Sequence, residues 1–294
     1  MKVGLVDVDG HNFPNLPLMK ISAWHKLQGN DVEWASPLFG DYSIVYMAKV
    51  FTFTPDFDIH LNSNELIKGG TGYGIEAELP SEIERIYPDY ELYNIDDTAY
   101  GFLTRGCPRR CPFCIVTDKE GPQSCKIADL DQFWAGQSQI KLLDPNLLAC
   151  RDKAELLDQL IDSGAWVDFT QGLDIRLMDS SDIDKIVKIK VKALHFAWDR
   201  PYDEKRIINN LAAFKAASRL DYRKLKVYVL TNYETDCEYD LYRVYTLRDM
   251  GYDPYVMIYD KHKLPVGHKL RKLQRWVNGK QIFRTCEKFE DYKG

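Results

Sequence analysis

Three cysteines lie close together in one short loop, as Cys107, Cys111 and Cys114 in the sequence CPRRCPFC. The loop follows Thr104-Arg105-Gly106, a sequence that favours a turn. Three thiolates can hold a cubane iron–sulfur cluster by three corners and leave the fourth iron without a protein ligand. An open iron is a position where a small molecule can bind and react. The spacing therefore predicts a 4Fe-4S reaction site.

Other uses of these cysteines stay open. Structural zinc sites usually have four protein ligands and paired C-x2-C clusters, and this sequence has no second pair. A disulfide framework is favoured less, because seven cysteines are an odd number and we expect no secretion signal before them. Zinc binding and plain loop cysteines remain as the alternatives to a cluster.

The pattern C-x3-C-x-aromatic-C, with Phe113 at the aromatic position, resembles the signature of the radical S-adenosylmethionine (SAM) superfamily. The resemblance implies that the amino and carboxylate groups of SAM chelate the open iron. It implies that an electron then passes to the sulfonium and produces a 5′-deoxyadenosyl radical, with a donor such as flavodoxin or ferredoxin supplying the electron. It also implies that Phe113 lies against the adenine.

Length and composition limit the class of protein. The chain has 294 residues, of which 45% are hydrophobic, so it is long enough for a full core and for two folded units. Its net charge of −5 and its pI of about 5.7 differ from the strongly basic surface of a general nucleic-acid binder. No apolar run approaches the length of a membrane span. We therefore expect a soluble, cytoplasmic protein that does not enter a membrane.

One segment departs from the acidic balance. Residues 261–280 contain seven lysines and arginines and no carboxylate. One interpretation is the solvated face of a helix, and the other is an anion-binding rim for a phosphate-bearing substrate. The rest of the sequence does not indicate nucleic-acid binding.

The first part of the chain predicts a small α/β domain over residues 1–97. Short apolar, β-branched segments alternate there with turn residues and with one segment of helical apolar spacing. The pattern is typical of a Rossmann-like, doubly wound parallel sheet. The predicted strands cover residues 3–8, 32–34, 42–53 and 58–61, and the predicted helix covers residues 17–28.

From residue 98 onward, strand and helix patterns alternate regularly. Six such repeats predict a partial (β/α)6 barrel over residues 98–262, followed by a basic C-terminal extension over residues 263–294. The predicted strands cover residues 100–104, 140–143, 165–169, 193–197, 226–230 and 254–258.

Polar and aromatic residues follow several of these strands. Parallel barrels carry their chemistry at the carboxyl ends of their strands, so we expect these residues to line one site together with the cysteine loop. Any one of them alone is typical of a turn or a helix cap. They are Asp144-Pro145-Asn146, the segment Gln171-Gly172-Leu173-Asp174-Ile175-Arg176, Trp198-Asp199-Arg200 and Thr231-Asn232.

The cysteine loop, Lys119-Glu120-Gly121 and the segment 142–146 together resemble the branch of radical SAM enzymes with a cobalamin-binding-like N-terminal domain. The resemblance implies that Asp144 and Asn146 contact the SAM amino group. It also suggests contacts to the SAM ribose or carboxylate, or to substrate, from a looser set of residues. That set is Gln171, Asp174, Arg176, Trp198 and Asp199.

Cobalamin binding is the less favoured expectation for the N-terminal domain. Cobalamin domains place D-x-H-x-x-G after the first strand, and this chain has Asp9 and His11 there but Pro14 where the pattern has glycine. His11 would be the ligand of the cobalt. Methylthiotransferases are disfavoured, because they have three further cysteines in the N-terminal domain and no cysteine precedes Cys107 here.

The leading hypothesis is an enzyme that reductively cleaves SAM and abstracts hydrogen from an unknown substrate. One alternative is a cobalamin-dependent radical SAM methyltransferase, and another is a non-catalytic iron–sulfur protein for electron transfer or sensing. The isolated cysteines favour buried, small apolar roles, with a thiol hydrogen donor to a product radical as a role for at most one of them. They are Cys125, Cys150, Cys237 and Cys286.

Overall fold

The computed structural model describes residues 1–10 and 13–294. Strands and helices alternate along the chain, and the strands of both large sheets run parallel, which confirms the predicted α/β class. The strands are β1 (Lys2–Asp7), β2 (Asp31–Trp34), β3 (Ile44–Ala48), β4 (Leu66–Gly69), β5 (Thr98–Gly101), β6 (Thr104–Arg105), β7 (Cys125–Lys126), β8 (Gln139–Leu142), β9 (Trp166–Phe169), β10 (Lys190–Ala197), β11 (Leu225–Thr231) and β12 (Asp253–Ile258). The helices are α1 (Leu16–Leu27), α2 (Ser81–Glu84), α3 (Val116–Glu120), α4 (Lys153–Ser163), α5 (Ser180–Ile186), α6 (Glu204–Ser218), α7 (Cys237–Asp249), α8 (Lys269–Asn278) and α9 (Lys280–Thr285).

The chain forms two compact units. The first comprises Met1–Gly101 with Ala128–Gln137, and the second comprises Phe102–Ile127 with Ser138–Gly294. The predicted boundary after residue 97 falls just before β5. The predicted C-terminal extension, residues 263–294, belongs to the second unit.

The sheet of the first unit has the strand order β2-β1-β3-β4. Helix α1 connects β1 to β2 and packs the side chains of Leu18 and Ile21 against those of Val3 and Leu5. It begins where the Asn15 side chain accepts a hydrogen bond from the Leu18 N–H at 3.2 Å, a typical N-cap. This apolar contact, rather than helix propensity alone, holds the helix on the sheet.

The prediction of a fourth strand over residues 58–61 is wrong. The fourth strand is β4, which pairs in parallel with β3 through Val45 and Leu66 and through Ala48 and Gly69. Leu61 enters the core without a strand around it. A short apolar and polar alternation does not distinguish a strand from a loop whose one apolar side chain is buried.

The sheet of the second unit contains β12-β11-β10-β9-β8, ordered as they follow one another in the chain. Helices pack against one of its faces, as in the contact between Phe196 of β10 and Phe214 of α6. Among the described residues no helix is long and apolar enough to cross a membrane.

The C-terminal segment completes the core of this unit. Helix α8 buries Leu273 and Trp276 against Val256 of β12 and Val244 of α7. Of the basic residues on α8, Lys269 and Arg275 are exposed, whereas Arg271 donates to the Leu264 carbonyl at 3.1 Å. The helix is therefore an integral part of the second unit with a solvated basic face.

We expect Trp276→Ala to lower the free energy of unfolding by about 3–5 kcal/mol, because it removes a fully buried indole and leaves a cavity. The indole also donates a 3.0 Å hydrogen bond to the Cys286 carbonyl. Arg275→Gln on the exposed side of the same helix should change the stability by less than about 0.5 kcal/mol. Urea unfolding measures both, and equal effects of the two substitutions would contradict the packing described here.

Candidate functional site

The cysteine loop is closed at its base by backbone contacts. Cys107 N–H donates to the Gly121 carbonyl at 3.1 Å, and the Glu120 carboxylate accepts from Gly106 N–H at 3.3 Å. Gly106 has a φ of +87°, and a Cβ atom there would lie 2.0 Å from the Gln123 carbonyl oxygen. Only glycine fits this position, so the residue before Cys107 is dictated by the close approach of the two ends of the loop.

The thiols lie within one another's electrostatic influence. Burial is the largest effect on both Cys111 and Cys114, and it raises the pKa of each thiol. The guanidinium groups of Arg200 and Arg176 act in the opposite direction on Cys111. A metal that takes a thiolate replaces its proton, and nearby arginines favour that anionic form. The donor set therefore suits a group that binds thiolates.

No group of three or more His, Cys, Asp or Glu side chains within residues 1–10 and 13–294 is arranged to hold a single metal ion. A cubane cluster takes one thiolate at each of three corners, so its cysteines need not converge on one point. The assignment of Cys107, Cys111 and Cys114 as cluster ligands stays a prediction.

Asp144 joins the end of β8 to the start of the cysteine loop. Its carboxylate is 4% exposed and accepts from the Leu103 N–H at 3.2 Å, the Thr104 hydroxyl at 2.6 Å and the Thr104 N–H. Burial raises the pKa of Asp144 to about 6, although these hydrogen bonds oppose the change. The side chain thus anchors the loop, and its expected contact with SAM stays a prediction.

Asn146 lies beside the first cysteine. Its Nδ2 donates to Cys107 Sγ at 3.4 Å, and its backbone carbonyl accepts from the Ser124 hydroxyl at 2.8 Å. Its Oδ1 is buried and has no hydrogen-bond partner among the described residues. An unpaired buried acceptor is costly unless a ligand supplies a donor. Asn146 therefore has an unused acceptor next to the cysteine loop.

A chain of ion pairs links the cysteine loop to the segments after β9 and β10. Asp174 accepts from Arg109 Nε at 2.6 Å and from Arg176 Nε at 2.7 Å, and Arg176 also contacts Asp203 at 2.6 Å. Burial opposes ionisation of Asp174, but the two arginines hold its pKa below the ordinary value. The chain fixes Arg109, and with it the cysteine loop, to the second unit's sheet.

The other predicted residues are placed differently from one another. Asp199 follows β10 and is partly buried, and burial raises its pKa while Arg243 and Arg176 lower it. Trp198 is fully buried against Tyr242, and Gln171 is exposed. The structure therefore brings Asp174, Arg176 and Asp199 together with the cysteine loop but leaves the Trp198 indole in the core.

Sequence reasoning did not select Tyr233 and Tyr259, and it placed Arg200 only among the residues expected to follow a strand and line the site. The Tyr233 ring contacts Phe113 edge to face at 5.0 Å, and Tyr259 contacts Tyr233 in the same way at 5.0 Å. The Arg200 guanidinium lies 5.5 Å from the Phe113 centroid, and its Nε is buried without a hydrogen-bond partner in the described part of the chain. The available signal was their position directly after β10, β11 and β12.

In the first unit, Asp9 has a local structural role. Its carboxylate accepts from the Thr54 hydroxyl at 2.6 Å, from the Phe51 N–H at 3.4 Å and from the Val50 N–H, which holds the segment after β3 beside the end of β1. His11, the expected cobalt ligand, lies outside the described residues.

Comparison with known proteins adds little to this geometry. No family model matches the sequence, and no curated protein matches it. Among solved structures, the chain is similar to that of Streptococcus suis SuiB bound to S-adenosylmethionine, with 13% identity and a TM-score of 0.43. The match covers 67% of this chain and 48% of SuiB, so the chain spans about half the length of that protein. An identity and a TM-score this low establish neither a shared fold nor a shared function.

The buried Asp144 carboxyl predicts a pH-dependent stability. Its folded pKa of about 6 lies above the ordinary 3.8, so the stability it contributes is complete below the ordinary value and is lost as the pH rises through 6. Asp144→Asn should be less stable than the original protein at pH 4, because the amide cannot accept from every donor. The difference in free energy of unfolding between the original protein and the Asp144→Asn variant should shrink by up to about 3 kcal/mol by pH 7. Urea unfolding across this range tests it, and a difference that stays constant or grows with pH would contradict the assignment.

Proposed function

We propose that this chain is a radical SAM enzyme whose second unit is a partial barrel that binds a 4Fe-4S cluster through Cys107, Cys111 and Cys114. The observation that carries the proposal is the unpaired Asn146 Oδ1 beside Cys107, in a loop with three thiols. A cluster with an open iron needs a second, adjacent site that orients the molecule bound to that iron. A buried acceptor in this position suits a protonated amino group.

The surrounding residues favour a negatively charged cluster. Three thiolates leave a cubane with net negative charge, and Arg176 and Arg200 both act on Cys111 in the direction that stabilises its thiolate. Asp174 neutralises part of this positive charge and keeps Arg109 and Arg176 in place. The arginines therefore oppose the effect of burial on the Cys111 thiol, and the ion pairs of Asp174 support the loop.

Each residue of the site has a distinct role in the proposal. Asn146 accepts from the SAM amino group, Phe113 lies against the adenine, and Asp144 holds the start of the loop. Asp199 and Arg200 face the SAM carboxylate, the ribose or the substrate. When bound, the cluster would pass an electron from flavodoxin or ferredoxin to SAM and so supply a 5′-deoxyadenosyl radical for hydrogen abstraction.

We do not extend the proposal to cobalamin. Asp9 is engaged with the backbone after β3, and none of the described residues of the first unit supplies an observation that points to a corrinoid. The substrate of the proposed hydrogen abstraction is not defined by the cysteine loop or by Asn146.

Anaerobically reconstituted protein should contain about four irons and four sulfides per chain. Cys107→Ser, Cys111→Ser and Cys114→Ser should each lose the cluster and all formation of 5′-deoxyadenosine from SAM under strong reductant. Cys125→Ser is the matched control, because Cys125 is exposed and lies in β7 beside the loop. Iron analysis and the visible spectrum report the cluster, and stoichiometric zinc with no iron would overturn the proposal.

Asn146→Ala should weaken SAM binding about tenfold to hundredfold, the range for loss of a hydrogen bond to a charged group. The iron content should stay complete, because the substitution removes no thiol. Ser124→Ala is the control, since the Ser124 hydroxyl donates to the backbone carbonyl of Asn146 and not to its side chain. Equilibrium binding of SAM to the reconstituted protein measures the effect. Unchanged affinity in the alanine variant would exclude Asn146 from the SAM site.

A further inference from the structure

The two faces of the second unit's sheet have different chemistry. Val227 and Val229 of β11 and Val256 of β12 are fully buried on the face that packs against helices. The residues that alternate with them carry cations and aromatic rings. We call this second side the open face and define it by Trp166, Lys190, Lys192, Lys226, Tyr228 and Tyr255. In most parallel sheets both faces are covered by apolar packing, so an exposed polar face indicates a role in binding.

Two rings of the open face are accessible, and they lie on different strands, Trp166 on β9 and Tyr255 on β12. Trp166 is 46% exposed and Tyr255 is 40% exposed. Tyr228 of β11 lies between two rings from the flanking strands. Its centroid is 5.8 Å from that of Tyr255 on β12 and 5.2 Å from that of His195 on β10, which stacks on it. Large exposed aromatic rings on a sheet present flat surfaces on which another ring can stack.

Lysines lie between and beside these rings. Lys190 pairs with Trp166 across β9 and β10, and Lys226 pairs with His195 across β10 and β11. Lys192 of β10 donates to Gln139 of β8, which lies beyond β9 in the sheet, and Lys224 Nζ lies 4.8 Å from the Trp166 centroid. Two carboxylates accompany these lysines: Asp168 Oδ1 lies 3.7 Å from His195 Nδ1, and Asp253 pairs with Lys226 across β11 and β12. The open face is therefore rich in positive charge and has accessible rings within it.

Charge is also divided unequally between the two units. The first unit contains 6 lysines and arginines against 18 aspartates and glutamates, a net charge of −12. The second contains 33 against 26, a net charge of +7. The chain's overall acidity thus conceals a basic second unit. A basic surface raises the local concentration of anionic partners and speeds their association.

We propose that the open face binds single-stranded nucleic acid. Lysines neutralise phosphates, while the exposed rings of Trp166 and Tyr255 stack on unpaired bases. An acidic peptide could pair its carboxylates with the lysines, but it has no regularly spaced rings that could stack on the aromatic side chains. A duplex would present phosphates but keep its bases paired. If the proposed function is correct, nucleic acid is also the substrate class of the radical reaction, and only this extension rests on that function.

Fluorescence anisotropy with a labelled single-stranded RNA and the same sequence as DNA tests the proposal on the full chain. Binding needs neither cluster nor SAM, so it is measured before and after anaerobic reconstitution. Affinity should fall as the salt concentration rises from about 50 mM to about 200 mM. The slope of log affinity against log salt concentration should be about −0.7 for each phosphate neutralised. Failure to form 5′-deoxyadenosine would overturn the proposed function and leave this binding unaffected.

Substitutions on the open face separate stacking from charge. Trp166→Ala and Tyr255→Ala should each weaken binding about tenfold, whereas Trp166→Phe keeps a ring and should retain most of the affinity. Lys192→Gln should reduce the salt slope by about 1, and Arg275→Gln on the exposed side of α8 should leave the slope unchanged. Circular dichroism of each variant confirms that it is folded.

Three results would overturn the proposal. The first is no binding of either oligonucleotide at low salt. The second is binding that the open-face substitutions leave unchanged, which would place the nucleic acid elsewhere. The third is equal affinity for polyglutamate or for duplex, which would show that charge alone acts and that the rings do not stack on bases.

Discussion

The arrangement of the site depends on the buried carboxylate of Asp144. It accepts from the backbone of Leu103 and Thr104, and so joins the end of β8 to the strand that enters the cysteine loop. Ionising a carboxyl group in this enclosed position is costly, as its raised pKa shows. The hydrogen bonds offset part of that cost and exist only when the chain is folded. The position of the loop is therefore coupled to the packing of the sheet beneath it.

The loop itself is held from two directions. At its base, Gly106 permits a close approach to Gln123 that a side chain would prevent. At its outer side, Arg109 is paired with Asp174, which is in turn paired with Arg176. These contacts act on backbone and side chains near the cysteines without using the thiols. A loop stabilised in this way keeps its three thiols available for a ligand, in agreement with the proposed cluster.

The same sheet offers two chemically different surfaces. Its carboxyl end has thiols, arginines and an unpaired amide oxygen, whereas its open face has lysines and exposed rings. The alternation of side chains along a strand makes this possible, because neighbouring residues point to opposite faces. One face supplies the core with its helices, and the other is free to contact a partner. Binding and chemistry can thus be built on one set of strands.

The sequence by itself determined the cysteine loop, the α/β class and most of the second unit's strands. These features are local: ligand spacing, the period of apolar residues and turn residues are all contained in short segments. The error at residues 58–61 arose where the local pattern was too short to specify a strand. Asn146 was selected because it follows a strand, although its contact with Cys107 could not be read from that position.

Only the tertiary structure decided which distant residues meet. Arg200 and Tyr233 lie near Phe113, and Arg109 pairs with Asp174, because strand order and register bring segments far apart in the chain to one edge. The open face depended on the fold in the same way. Trp166, Lys190 and Tyr255 each alternate with buried residues along their strands. In sequence, such a pattern does not show whether a helix packs on the face where these three residues lie. Coverage depends on where the helices pack, and packing is a property of the whole chain.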